Sequence, residues 1–366
     1  SSEWIKLRIK YVYLRINTNQ MGLNTFKFRI NPDLELLDRL IAVERFDALW
    51  PDMERRSMNH LNALKLKTIN RSLGAVLRLE GFEIGEDKIE HFFKTPIFTK
   101  DDPREMQIFG GYIAAYRQIV PSKSDHEVNE PFLKALQNVI LEFSQKDDWH
   151  RGDYKRINNN LENILPDGSK ELVFRSAEPG LHTIEAMQQL LEWYHADHAS
   201  IRIIRIALFF YEFLCIRPFQ DGNGRMSYLL VYLLMLKSDY SWIQYVSLEH
   251  EIQQRKAEFD NILTLTQKER PSENVAAWLK FFLSCLMNLQ LELEMNLNLK
   301  IVQKNLTLKE KRICTVIENQ PGLSSSEIST IIGIPLPSVK KMLSRLVTQK
   351  YLFKEGTGKA THYSLL

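Results

Sequence analysis

The stretch from Ile206 to Leu236, IALFFYEFLCIRPFQDGNGRMSYLLVYLLML, constrains the fold of this chain more than any other part of it. Two strongly apolar helical runs flank a polar loop, Pro218-Phe219-Gln220-Asp221-Gly222-Asn223-Gly224. Helices that are hydrophobic on nearly every side have to be buried, so other helices must surround this pair. Within the loop, two glycines and an asparagine tolerate positive φ, which lets consecutive N–H groups face one concavity. The helix expected to start near Arg225 adds unpaired amides and the positive end of its dipole. Arg225 supplies a planar, bidentate charge for phosphate oxygens. Asp221 is the hard oxygen donor that a phosphate-bridging Mg²⁺ would use. Phe219, the one large apolar residue of the loop, anchors it in the core. A bare Asp-Gly-Asn-Gly is most often a plain turn. The Pro-Phe opening, the closing Arg and the two buried flanks make this one more specific.

The remaining pattern points to a mainly α protein. Residues 4–30 alternate apolar and polar (Val12, Leu14, Ile16; Phe26, Phe28, Ile30), the period of short edge strands, which assigns 1–40 to an N-terminal edge segment. Helical spacing follows Asn31-Pro32-Asp33 and dominates to about residue 300, giving a helical domain over 41–300. The exception is Asn159 to Phe174, where Pro166-Asp167-Gly168 marks a β-hairpin turn. A leucine-rich amphipathic stretch at about 275–302 links this domain to the tail. Its leucines suit packing on the parent domain or, less commonly, pairing with a second copy in a homodimer.

The tail, 303–366, reads as three helices and two short strands, an order that resembles a winged helix-turn-helix. From residue 301 onward ten basic residues face four acidic ones, although the whole chain carries only +3. That local excess favours an acidic partner such as DNA, with Ser338, Lys341, Ser344 and Arg345 of the third helix as the candidate contacts. A structural or protein-binding role for the tail has comparable weight. Three scattered cysteines make neither a disulfide framework nor a zinc motif and suit a cytoplasmic protein. The longest charge-free apolar run, Tyr228 to Leu236, is shorter than the roughly 20 residues of a bilayer span, so no membrane partner is expected.

The run from Arg217 to Tyr228, RPFQDGNGRMSY, resembles the signature of the Fic family, HPFxDGNGRxxR. Ser72-Leu73-Gly74-Ala75 through Glu80-Gly81 is similar to the family's regulatory helix, at about 68–81. His150 to Tyr154 and the hairpin at about 159–176 are similar to the flap that docks a target segment. Trp242 to Arg255 is similar to the segment after the motif helix in bacterial members with a C-terminal winged helix. The resemblance implies a helical-bundle domain that binds ATP with Mg²⁺ and transfers AMP to a Ser, Thr or Tyr hydroxyl of a target protein. It implies that Asp221 holds the metal, that Phe219, Gly222, Asn223, Gly224, Arg225 and Tyr228 line the nucleotide site, and that Glu80 and Gly81 belong to a regulatory brake.

The signature is broken where its chemistry resides. The family's catalytic histidine falls at Arg217, which has five donors, no acceptor and a pKa above about 12. Loss of a general base typically costs about 10² to 10⁴ in rate, or roughly 3–5 kcal/mol of barrier. The second motif arginine is Tyr228, Val76 replaces the hydroxyl residue of the regulatory helix, and Ile201-Arg202 stands where many members have His-Pro. AMP transfer is therefore expected to be lost or weak, and the brake glutamate Glu80 to lack its usual ionic partner. The alternative is a DNA-binding regulator that uses the Fic-like domain as a sensor or dimerisation module.

Overall fold

A computed structural model describes residues 28–94, 97–119, 127–164, 167–197, 200–304, 306–320, 322–349, 351–356 and 361–365. The expected edge strands before residue 28, His198 and the Thr357-Gly358 turn lie outside the described residues. The chain divides into two compact units, Ser1–Leu291 and Glu292–Leu366.

In the first unit, Asp33 caps the opening helix through its carboxylate, which accepts from the Leu36 amide at 2.9 Å. Helix α1 (Leu34–Leu79) then runs unbroken for 46 residues. It passes through the boundary expected at residue 40 and through the start of the regulatory segment. Leu36, Leu40, Val43, Trp50, Leu61 and Leu73 give it one buried stripe along this whole length, so nothing in its packing calls for a break. The change of period at Asn31-Pro32-Asp33 is the start of that helix.

Helices α2 (Glu86–Lys94), α3 (Arg104–Ile119) and α4 (Glu130–Ile140) follow. Helices α3 and α4 meet closely at Gly111, where a Cβ would lie 2.0 Å from the carbonyl oxygen of Ile140. Only glycine allows that approach, and it sets the start of α3 beside the motif loop. Strands β1 (Leu161–Ile164) and β2 (Lys170–Phe174) form the expected antiparallel hairpin. After α5 (Leu181–Ala196), helices α6 (Arg202–Ile216) and α7 (Asn223–Lys237) form the central hairpin, and nearly every side chain of both is buried. Around them lie α8 (Leu248–Gln254), α9 (Lys256–Lys268) and α10 (Ala276–Lys304), along which the division between the units falls. Trp278 of α10 packs on Phe210 and Tyr211 of α6 and donates its indole N–H to the Ala207 carbonyl at 2.8 Å. Cys215, Cys285 and Cys314 are buried and form no disulfide, and burial pushes the first two thiols up to about 12.

The second unit holds α11 (Leu308–Asn319), α12 (Ser325–Ile332), α13 (Leu336–Thr348) and an antiparallel pair, β3 (Leu352–Glu355) and β4 (His362–Leu365). Reciprocal capping boxes, Thr307 with Glu310 and Ser324 with Glu327, start its first two helices. Ile313, Ile317, Ile328, Val339, Leu343 and Leu346 fill its core. No helix among the described residues is long and apolar enough to cross a membrane.

Candidate functional site

The motif loop is clamped on itself. Phe219 is fully buried, and the Asn223 side chain closes a ring on its backbone, accepting from its N–H at 2.9 Å and donating to its carbonyl at 2.6 Å. Gly222 adopts φ +84°, a value that side-chain-bearing residues rarely take, and turns the chain into α7. The helix begins at Asn223, two residues earlier than the sequence suggests, so the amides of Asn223, Gly224 and Arg225 form its first turn and have no carbonyl four residues back within it. A Cβ built on Gly224 would meet nothing within 4 Å, so there is open space beside this first turn.

On the other side of the loop, the flap supplies a polar bracket. Asn159 Nδ2 donates to the carbonyls of Phe219 at 2.7 Å and Arg217 at 3.1 Å, while Arg217 Nε donates to the Asn159 carbonyl at 3.2 Å. Arg217 ends α6 in the left-handed conformation, with φ 48° and ψ 62°. Its fixed contact is thus the flap backbone. Beneath it Lys155, only 1% exposed, donates to Asn159 Oδ1 at 2.8 Å, Ser176 Oγ at 2.9 Å and the Ile216 carbonyl at 3.0 Å. Burial and the adjacent Arg217 charge pull the pKa of this lysine down to about 7. Tyr154 packs against Phe219 with the rings tilted, centroids 5.4 Å apart, and completes the bracket.

Asp221 lies in a ring of cations. Its Oδ1 accepts from the Gly222 amide at 2.6 Å and from Arg225 Nη2 at 3.2 Å. Its Oδ2 lies 3.1 Å from Arg104 Nη2 and 3.8 Å from Lys146 Nζ. Burial opposes the ionised form of Asp221, but Arg225, the Gly222 amide, Lys146 and Arg104 together hold its carboxyl below the usual range. Arg225 is 1% exposed, and neither its Nε nor its Nη1 makes a hydrogen bond. Glu80 Oε1, from the turn that ends α1, approaches Arg225 Nε at 2.9 Å. The expected loss of an ionic partner for Glu80 is therefore corrected: the glutamate reaches the first motif arginine. Tyr228 is buried, and burial raises its pKa further, so it is a neutral phenol at the end of this site.

The Fic/DOC family model matches residues 127–235, the stretch that contains α4, the flap and the central hairpin. The chain carries a Fic domain. Among solved structures, the chain resembles a Fic family protein from Desulfovibrio desulfuricans G20, with a TM-score of 0.61 at 17% identity, covering 93% of this chain and 98% of that one. A Fic domain containing signaling protein from Bacteroides thetaiotaomicron VPI-5482 aligns with a TM-score of 0.51 at 18% identity, over 72% and 97% of the two chains. Fic-1 from C. elegans aligns with a TM-score of 0.50 at 17% identity, over 72% and 71%. At such identities the likeness is one of fold. No curated protein matches the chain by sequence.

In this Fic domain the residues expected to hold Mg²⁺ fit it poorly. Both oxygens of Asp221 are already engaged by cations, and Mg²⁺ would need one of them at about 2.1 Å. The residues expected to hold phosphate fit better: a buried guanidinium with an unused nitrogen, first-turn amides and open space over Gly224. Gly81, with φ +91°, turns the chain directly after Glu80. Arg104, Lys146, Lys155 and Asn159 belong to the site but are not apparent in the sequence, because their partners lie 58 to 117 residues away or are set by packing alone. The one available signal was polarity without periodicity at Asn158-Asn159-Asn160. Two other histidines are committed elsewhere: His150 to Asp147 at 3.1 Å, and His195 to the Val128 carbonyl at 2.9 Å. In the second unit, Ser338, Lys341, Ser344 and Arg345 are all exposed on α13, and Arg345 pairs with buried Glu310 at 3.4 Å.

Proposed function

We propose that the Fic domain of this protein binds the phosphate chain of a nucleotide such as ATP and transfers AMP poorly or not at all. The observation that carries the reading is Arg225, buried at the mouth of the α7 first turn with an unused nitrogen, beside amides that lack acceptors. Position 217 is where the family's base acts on the target hydroxyl. Arg217 has no acceptor nitrogen, and it is bonded to the flap backbone. Lys155 does not stand in for it, because it is 1% exposed and its Nζ is enclosed by Asn159, Ser176 and the Ile216 carbonyl, out of reach of a target hydroxyl. The domain thus keeps a phosphate-binding frame and lacks the proton acceptor, which suits a sensor or scaffold better than a transferase.

The test is the Arg217→His reversion, assayed with labelled ATP beside the native chain. Histidine tolerates the left-handed backbone at 217 better than most residues do, so the loop should survive the change. Labelling should rise by about 10² or more if a base is the missing part. Failure of the native chain to bind ATP in calorimetry would remove the nucleotide reading itself.

A second reading concerns the tail. Ser338, Lys341 and Ser344 are exposed together on α13, the arrangement expected of a helix that meets DNA phosphates. The proposal is DNA binding by a winged-helix unit, with affinity that falls as salt rises. Binding insensitive to salt, or none, would discard it.

A further inference from the structure

Asp221 is the residue through which a divalent cation would enter this site, yet it is met by two side chains that the signature does not contain. Arg104, the first residue of α3, reaches Asp221 Oδ2 at 3.1 Å and is itself held in place. The same Nη2 lies 3.1 Å from buried Asp147, and Nη1 donates to buried Ser144. Asp147 is fixed in turn by Ser144 and by His150. The guanidinium is therefore positioned by a buried polar set, unlike a loose surface pairing. Lys146, 64% exposed, lies 3.8 Å from the same carboxylate oxygen on a side chain free to swing toward a ligand. Together these two residues carry the formal charge of one divalent ion.

We propose that Arg104 and Lys146 replace the divalent cation at Asp221, so that this site takes a polyphosphate chain without Mg²⁺. The inference rests on the phosphate-binding reading above and goes further by assigning the counter-charge. A magnesium ion demands oxygen at about 2.0–2.1 Å in near-octahedral geometry. At Asp221 it would have to evict Arg104, breaking the contacts to Asp147 and Ser144 and leaving two cations within a few ångströms of each other. An incoming phosphate needs no such rearrangement. It can meet the α7 amides and Arg225 Nη1 while Lys146 closes from outside. In this arrangement Asp221 is a competitor for the cations that a phosphate would use.

The two modes predict opposite signs for one substitution. Calorimetric titration of the full chain with ATP, in EDTA and again in millimolar Mg²⁺, should give dissociation constants within about threefold of each other. Asp221→Asn should tighten binding in EDTA several-fold, and Lys146→Ala, at an exposed position, should weaken it two- to fivefold. Binding that appears only with Mg²⁺ and disappears in Asp221→Asn would overturn the inference while leaving the nucleotide reading intact. Tripolyphosphate provides the complementary arm. Its binding in EDTA, with no binding of ATP, would support the cation cluster and sink the nucleotide. If neither ligand binds to a chain that melts cooperatively, both proposals fail.

Discussion

Glu80 and the phosphate ligand want the same guanidinium, and the change Glu80→Gln separates them. Glu80 Oε1 lies 2.9 Å from Arg225 Nε; the arginine side chain is 1% exposed and the glutamate 30%. An ion pair of this kind, half shielded from water, is worth about 1–2 kcal/mol net. A phosphate that engages Arg225 must share it with Glu80 or displace the carboxylate, so the pair's stability is subtracted from the ligand's affinity. Glutamine keeps the shape of the side chain and removes the competing charge. Binding of ATP or tripolyphosphate should tighten about tenfold, which corresponds to about 1.4 kcal/mol. The unbound protein should at the same time lose about 1 kcal/mol of stability, because Arg225 keeps Asp221 at 3.2 Å but loses its second anion. Calorimetry measures the first effect and urea unfolding the second, with exposed Glu83→Gln as the control. The reasoning is refuted if affinity stays constant or falls in the Glu80 variant while stability drops.

Three further outcomes follow from the same geometry. Asn159→Ala removes the side-chain donor to the Arg217 carbonyl and one of the two donors to the Phe219 carbonyl, and should cost about 1–3 kcal/mol in urea unfolding; a loss under about 0.5 kcal/mol would mean that the bracket does not hold the loop. Lys155, with its pKa depressed to about 7, should leave a mark on stability against pH. Between about pH 7 and the free-lysine value near 10.4, the unfolded chain binds a proton that the folded one does not. Stability should therefore rise with pH across that window by up to about 1.4 kcal/mol per unit, and Lys155→Met should flatten the slope; identical slopes in the two proteins would rule the effect out. Gly111→Ala would place a methyl 2.0 Å from the Ile140 carbonyl. It should destabilise the protein by about 2–3 kcal/mol, visible as a lower melting temperature, and an unchanged one would contradict the close approach of α3 and α4.

Local signals were legible and non-local ones were not. The apolar runs on either side of Pro218 gave the central hairpin, Asp33 marked the start of α1, and Asp167-Gly168 marked the turn between β1 and β2. Each of these is written within a few residues of the feature it specifies. The domain limit drawn at residue 40 falls inside α1, because that helix starts at Leu34, where the alternation had already ended, and continues without a break. Arg104 and Asp221 are 117 residues apart, and nothing in the character of either names the other. The same holds for Glu80 and Arg225. A regulatory glutamate could be read from the likeness of Ser72 through Gly81 to the family's regulatory helix, but its partner depends on where the last turn of α1 lands against α7. Nothing in the sequence marks Lys155, since a chain of letters does not show that three acceptors enclose it.

The loop between α6 and α7 has both polar groups of Phe219 bound before any ligand arrives, one by Asn223 alone and the other by Asn223 and Asn159. A cradle tied from both ends has little disorder left to surrender. An anion entering it should therefore meet a rigid receptor: capture limited by diffusion and charge rather than by refolding, and a backbone that keeps the same protection from hydrogen exchange whether empty or filled.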